Sequence, residues 1–128
     1  MKNKIKNNIP AYVSGWTDKY FHQSAFGVPL KCPSKKIIEY LNKYKDNRKI
    51  RLYRGLNKYN KLNYSGVESW TYKKNIANRY ADKISGEIIE KLFKPKNILL
   101  DTTLLNSVEK IMLGYDYAVD DREVLILL

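Results

Sequence analysis

Apolar residues recur at helical intervals in the first third of this chain, and at strand intervals or in short unbroken runs in much of the rest. Val13, Trp16 and Tyr20 are spaced to share one helix face and predict a short helix within 11–26. Pro29 and Pro33 interrupt the next stretch. Ser34 then reads as the N-cap of a helix running to about Tyr44, with Ile37, Ile38, Leu41 and Tyr44 on one face. At Ile50 the period changes. Ile50, Leu52 and Arg54 alternate with Arg51 and Tyr53, a strand that stops at Gly55. Ile76, Ala77, Tyr80, Ala81 and Ile84 form a helical stripe between Asn75 and Ile84. The run 86–93 fits a helix by the spacing of Ile88, Ile89, Leu92 and Phe93, and a strand by its length and by Pro95. Residues 97–101 read as a buried strand, and Val108, Ile111 and Met112 as a helical turn ending at Gly114. Val124–Leu128 is apolar throughout and reads as a central strand buried on both faces. Such a strand would hold the acids just before it, Asp120, Asp121 and Glu123, rigidly in place.

Length and composition narrow the class. The 128 residues suit one domain with a single core, a helical N-terminal part over 1–49 followed by 50–128, which holds the motifs described below. A hydrophobic content of 44% with eleven tyrosines argues for a folded chain over a disordered one. No apolar stretch approaches the roughly 20 residues needed to span a bilayer. The opening MKNKIKNNIP lacks the apolar segment of a signal peptide, so a soluble intracellular protein with no membrane partner is expected. Cys32 is the only cysteine, which excludes an internal disulfide and a cysteine-based zinc site. His22 is the only histidine, which excludes a His pair or a multi-His metal centre. The net charge of +11 favours anionic partners, nucleic acid or a phosphorylated cofactor among them. The basic residues are spread along the chain, as on any solvated surface.

P-loop, GxGxxG and HExxH signatures are missing. Three other segments adjoin predicted strands: RLYRGL at 51–56, VESWTYKKNIANRYADK at 67–83 and DREVLIL at 121–127. In this order they resemble the Arg–Ser–Glu mono-ADP-ribosyltransferases, the group of clostridial binary toxins and phage ADP-ribosyltransferases. The family carries an Arg and a small residue at a strand end, a Ser-x-Ser/Thr leading into a helix, and Glu-x-Glu or Gln-x-Glu before an apolar strand. The resemblance covers about residues 50–128, and each motif taken singly is weakly specific.

The resemblance implies an α+β fold, with N-terminal helices packed on two small, mainly antiparallel sheets that flank an NAD cleft. It implies transfer of ADP-ribose from NAD to a protein acceptor, with nicotinamide released and no metal required. Arg54 would hold the NAD diphosphate or nicotinamide ribose, and the backbone of Gly55 would pair with the carboxamide. Ser69 and Thr71 would organise the cleft, and Tyr80 would lie against nicotinamide. Glu123 would be the catalytic acid. Asp121 is a departure, because arginine-modifying members carry Glu there and several others Gln. As strand neighbours, 121 and 123 would share a face, placing Asp121 at the cleft mouth to recognise the acceptor. The loop at 114–121 would offer Tyr115 and Tyr117 as further acceptor contacts. Two other readings stay open: an NAD glycohydrolase using water, and a degenerate basic module docking on nucleic acid or an acidic protein. The Tyr- and Lys-bearing stretch NKYNKLNY at 57–64 offers rings on which bases could stack.

Overall fold

The computed structural model describes residues 8–23, 31–56, 66–81, 86–115 and 121–128. Tyr117, Asp120, Ile84 and the 57–64 stretch lie outside the described residues. The fold is α+β. Its helices are α1 (Ala11–Gln23), α2 (Lys35–Leu41), α3 (Lys74–Tyr80) and α4 (Ser107–Met112). Its strands are β1 (Ile50–Gly55), β2 (Val67–Thr71), β3 (Ile88–Phe93), β4 (Ile98–Asp101) and β5 (Glu123–Leu127). Each helix start that carries a short polar cap uses it. Ser34 accepts from the Ile37 amide, and Asn106 with Glu109 closes a reciprocal capping box on α4. Within the ambiguous run 86–93, Ile88–Phe93 is a strand, paired along its length with β1 from Ile50–Phe93 to Gly55–Ile88.

The strands form one antiparallel sheet in the order β3-β1-β2-β5-β4 among the described residues, where two small sheets were expected. The physical reason is that β2 pairs on both of its edges. With β5 it forms a full ladder from Val67–Leu127 to Thr71–Glu123. With β1 it shares a single pair, Tyr53 opposite Thr71. The sheet is therefore continuous but weakly laced between β1 and β2.

Two hydrophobic clusters form around the sheet. Val13, Trp16 and Tyr20 of α1 and Ile37 and Leu41 of α2 pack with Val67, Leu100 and Leu125. Ile50, Leu52, Trp70, Phe93, Val124 and Ile126 form the other cluster. Alternate residues of β5 thus enter different clusters, which is why its apolar run is continuous. Burying Val124, Leu125 and Ile126 stabilises by about 2 kcal/mol each. That is enough to offset the roughly 1–2 kcal/mol per residue lost on ordering the backbone. The Leu128 amide also donates to the Gly66 carbonyl at 2.9 Å. The strand is held to its last residues.

Gly55 is required by packing. A Cβ there would lie 2.0 Å from the Ala77 carbonyl oxygen and 2.8 Å from the Ala81 nitrogen, both backbone atoms that cannot rotate away. Gly55→Ala is expected to destabilise the chain by about 1–3 kcal/mol as β1 and α3 separate, read as a lower urea midpoint. An unchanged midpoint would show that α3 does not press on β1 in solution.

Candidate active site

The end of β1, the start of β5 and one face of α1 meet at Ser69, the middle residue of β2. Arg54, next to last in β1, is buried, and its Nη1 donates to the Ser69 carbonyl at 2.6 Å. This bond bridges β1 and β2 beside their single ladder pair, so a guanidinium takes part in joining the strands. The Ser69 side chain hydrogen-bonds the Glu123 carboxyl, and Arg54 is close enough for its charge to act on that carboxyl. Tyr20, from the buried face of α1, places its hydroxyl 2.6 Å from Ser69 Oγ. Arg54, Ser69 and Glu123 are therefore brought together, with Tyr20 beneath them.

The electrostatics of the cluster follow from its enclosure. Burial is the main cause that pushes Glu123 up to about 7 from its ordinary 4.5, and the Asp121 charge adds to it. The Ser69 hydrogen bond and the Arg54 charge oppose the rise. Tyr20 is raised above its usual range, first by burial and then by Glu123, so it remains a neutral hydroxyl. Proton counting then orients the chain. Ser69 has one hydroxyl proton; when it is given to ionised Glu123, Tyr20 must be the donor to Ser69 Oγ. A Tyr20→Phe variant is expected to lose about 1 kcal/mol of stability and to release Ser69 from its orientation. Glu123 should then titrate at higher pH, measurable by carbon-detected NMR of the labelled carboxyl. An unmoved Glu123 titration would show that Tyr20 only packs.

The segment carrying the acids is pinned at successive backbone positions. The Asp121 amide donates to the Tyr115 hydroxyl at 3.2 Å, and Thr71 Oγ1 donates to the Asp121 carbonyl at 2.7 Å. Tyr72 donates its amide to the Arg122 carbonyl, and Thr102 Oγ1 donates to the Glu123 carbonyl at 2.6 Å. Arg122 has φ of 48°, a left-handed conformation costly for a non-glycine residue. These bonds offset that cost.

The left-handed turn corrects the argument that placed the two acids on one face by strand alternation. β5 begins only at Glu123, and the backbone reverses hand between Asp121 and Glu123. The carboxylates are close enough to interact for another reason: the turn is tied to Thr71 and Tyr115. Tyr115, expected as an acceptor contact, is placed against the turn's backbone. Its ring is buried, with its centroid 4.9 Å from that of Phe21, and its hydroxyl serves the Asp121 backbone. The absent Cβ of Gly55 is accounted for by α3. Tyr80 is half-exposed at the end of α3, not inside an apolar stripe, and its hydroxyl donates to Asp121 Oδ2.

The chain matches no family model, no curated protein and no solved structure. The functional reading therefore rests on this chain's own residues. Sequence reasoning missed Tyr20 and Thr102. Tyr20 did leave a signal: a tyrosine on an apolar helix stripe brings a hydroxyl that needs a partner once buried. Thr102 gave none, because only the β4–β5 pairing brings it to the Glu123 carbonyl. His22 and Cys32 stand apart from the site: His22 lies exposed beside Asp18, and Cys32 is exposed. Among the described residues no three His, Cys, Asp or Glu side chains are grouped to hold a metal ion, and no helix is long and apolar enough to cross a membrane.

Proposed function

We propose that this protein is a mono-ADP-ribosyltransferase that takes ADP-ribose from NAD and attaches it to a protein side chain. The observation that carries the reading is the meeting of a buried guanidinium, a hydroxyl and a partly buried carboxyl at Arg54, Ser69 and Glu123. The donor set suits the co-substrate. Arg54 is a permanently charged fork that can hold a diphosphate or ribose while keeping its bond to Ser69. Glu123 in its ionised form, aimed by Ser69, stabilises the positive charge that develops on the ribose as the nicotinamide bond breaks. A fixed group of this kind typically contributes about 3–4 kcal/mol. The hydrogen bonds on either side of Glu123 hold it still, so little reorganisation is needed when that charge forms. The net charge of +11 draws the anionic diphosphate toward the protein. The acceptor is a protein whose reactive side chain is oriented by Asp121.

Incubating the purified chain with tagged NAD and a mixed lysate tests this, with nicotinamide release and protein label followed together. Nicotinamide release with label on lysate proteins is the expected result. Release without label would replace the acceptor by water, making the protein a glycohydrolase. No release at all would overturn the enzymatic reading.

A further inference from the structure

Resting on the transferase reading, we propose that Arg79 is a self-acceptor: the protein attaches ADP-ribose to its own α3. The two oxygens of Asp121 are used differently. Oδ2 accepts from the Tyr80 hydroxyl. Oδ1 is buried, makes no hydrogen bond among the described residues, and lies 3.9 Å from Nη1 of Arg79. Arg79 is otherwise in solvent, its side chain 64% exposed, while that of Asp121 is 15% exposed. A movement of about 1 Å would turn this contact into a charge-assisted hydrogen bond.

Asp121 is thus a carboxylate that presents an acceptor atom to a guanidinium, beside the carboxyl proposed to activate the ribose. A guanidinium is already there, supplied by the chain itself. Of the other four arginines, Arg122 stands in the left-handed turn between the two acids, and Asp121 Oδ1 has its ion pair with Arg79. Arg48 pairs with Asp46, Arg51 pairs with Glu90, and Arg54 is buried against Ser69. Tyr80 is the next residue after Arg79 and fixes the far oxygen of the same carboxylate, so α3 and Asp121 are held in register.

The reaction balances without a further reagent. A lone pair on an Arg79 terminal nitrogen forms a bond to ribose C1′. The C1′–nitrogen bond to nicotinamide breaks, and its electron pair leaves with nicotinamide, which becomes neutral. The proton lost from the guanidinium passes to Asp121 and then to water. The product is an N-glycosidic bond on Arg79, which retains its positive charge through the substituted guanidinium.

The test uses the full chain, NAD and no lysate, with nicotinamide and protein-bound ADP-ribose measured together and the modified residue located by electron-transfer fragmentation. The expected label falls mainly on Arg79, and its rate per molecule does not change when the protein is diluted, as an intramolecular step requires. Arg79→Lys should lose most of the label, and Glu123→Gln should lose both label and nicotinamide release. Nicotinamide release with no label, or with label mainly on Arg122 or elsewhere, overturns the self-acceptor while leaving NAD cleavage intact. A labelling rate per molecule that rises with protein concentration also overturns it, because transfer then occurs between molecules. Absence of both label and nicotinamide removes the transferase reading and this inference with it.

Discussion

Glu123→Gln is expected to melt several degrees above the wild-type chain at pH 8 while releasing almost no nicotinamide. The two effects share one cause. Burial pushes the Glu123 carboxyl up to about 7, so the fold favours the neutral form, whereas the proposed chemistry needs the charged one. Below pH 4.5, the ordinary value, the folded and unfolded chains both carry the proton, and the favourable contribution is fully present. Between 4.5 and about 7 the unfolded chain has released the proton that the folded chain still holds, so stability falls with rising pH. Above about 7 the contribution is lost. At about 1.4 kcal/mol per pH unit the full effect is roughly 3 kcal/mol. Glu123 is partly exposed, which reduces this to about 1–3 kcal/mol. Glutamine imitates the neutral carboxyl at every pH, so the variant's advantage should be present at pH 8 and small near pH 5. Thermal melts at the two pH values check it, and an equal difference at both would mean that Glu123 is not held protonated. Turnover moves the other way. The kcat/KM of the wild-type chain for NAD should climb with pH through about 7, since that ratio reports the free enzyme. Loss of the charge should lower the rate by about two to three orders of magnitude.

Arg54→Ala is expected to have the largest effect on NAD affinity. Arg54 is buried, bonded to the Ser69 carbonyl and close enough to Glu123 to lower its titration. Removing it takes away charge-assisted hydrogen bonds of about 1.5–3 kcal/mol, a loss of about 10–100-fold in affinity by calorimetry. It also removes the cation that opposes protonation of Glu123, so the pH midpoint of turnover should move above about 7. Arg54→Lys separates the two roles. A lysine keeps the charge and should return the midpoint toward that of the wild type. It cannot reach both Ser69 and a diphosphate with a planar fork, so affinity should stay low. Unchanged NAD binding in Arg54→Ala would remove the role assigned to this residue. Normal affinity in Arg54→Lys would show that charge alone is needed.

Arg54 also ties the sheet's weakest junction to the proposed site. β1 and β2 share one residue pair, and the Arg54–Ser69 bond lies beside it. The group bridging this loosely laced junction is the proposed ligand for the diphosphate. Ligand binding and strand joining therefore draw on the same guanidinium.

Much of the element order could be read from the chain. The Ser34 cap, the 50–55 alternation, the 97–101 run and the apolar stretch from Val124 all became the elements their local patterns predict, because each pattern matches the period of the surface it buries. Residues 86–93 could not be decided locally. Their apolar spacing fits either period, and the ladder with β1 selected the strand. The identities of Arg54, Ser69 and Glu123 were also visible as candidates, Arg54 and Glu123 at the edges of strand-like runs and Ser69 only through the resemblance.

Tertiary structure alone decided how they are placed. It joined the sheets through the two edges of β2, turned the backbone to the left at Arg122, and buried Tyr115 beneath Asp121. It also brought Tyr20 to Ser69 across 49 positions and Thr102 to Glu123 across 21. The physical reason is range. Periodicity, capping and propensity act over a few residues and are written in local order, whereas a buried hydroxyl or carboxyl takes its partner, and its proton affinity, from whichever distant segments the core packs around it.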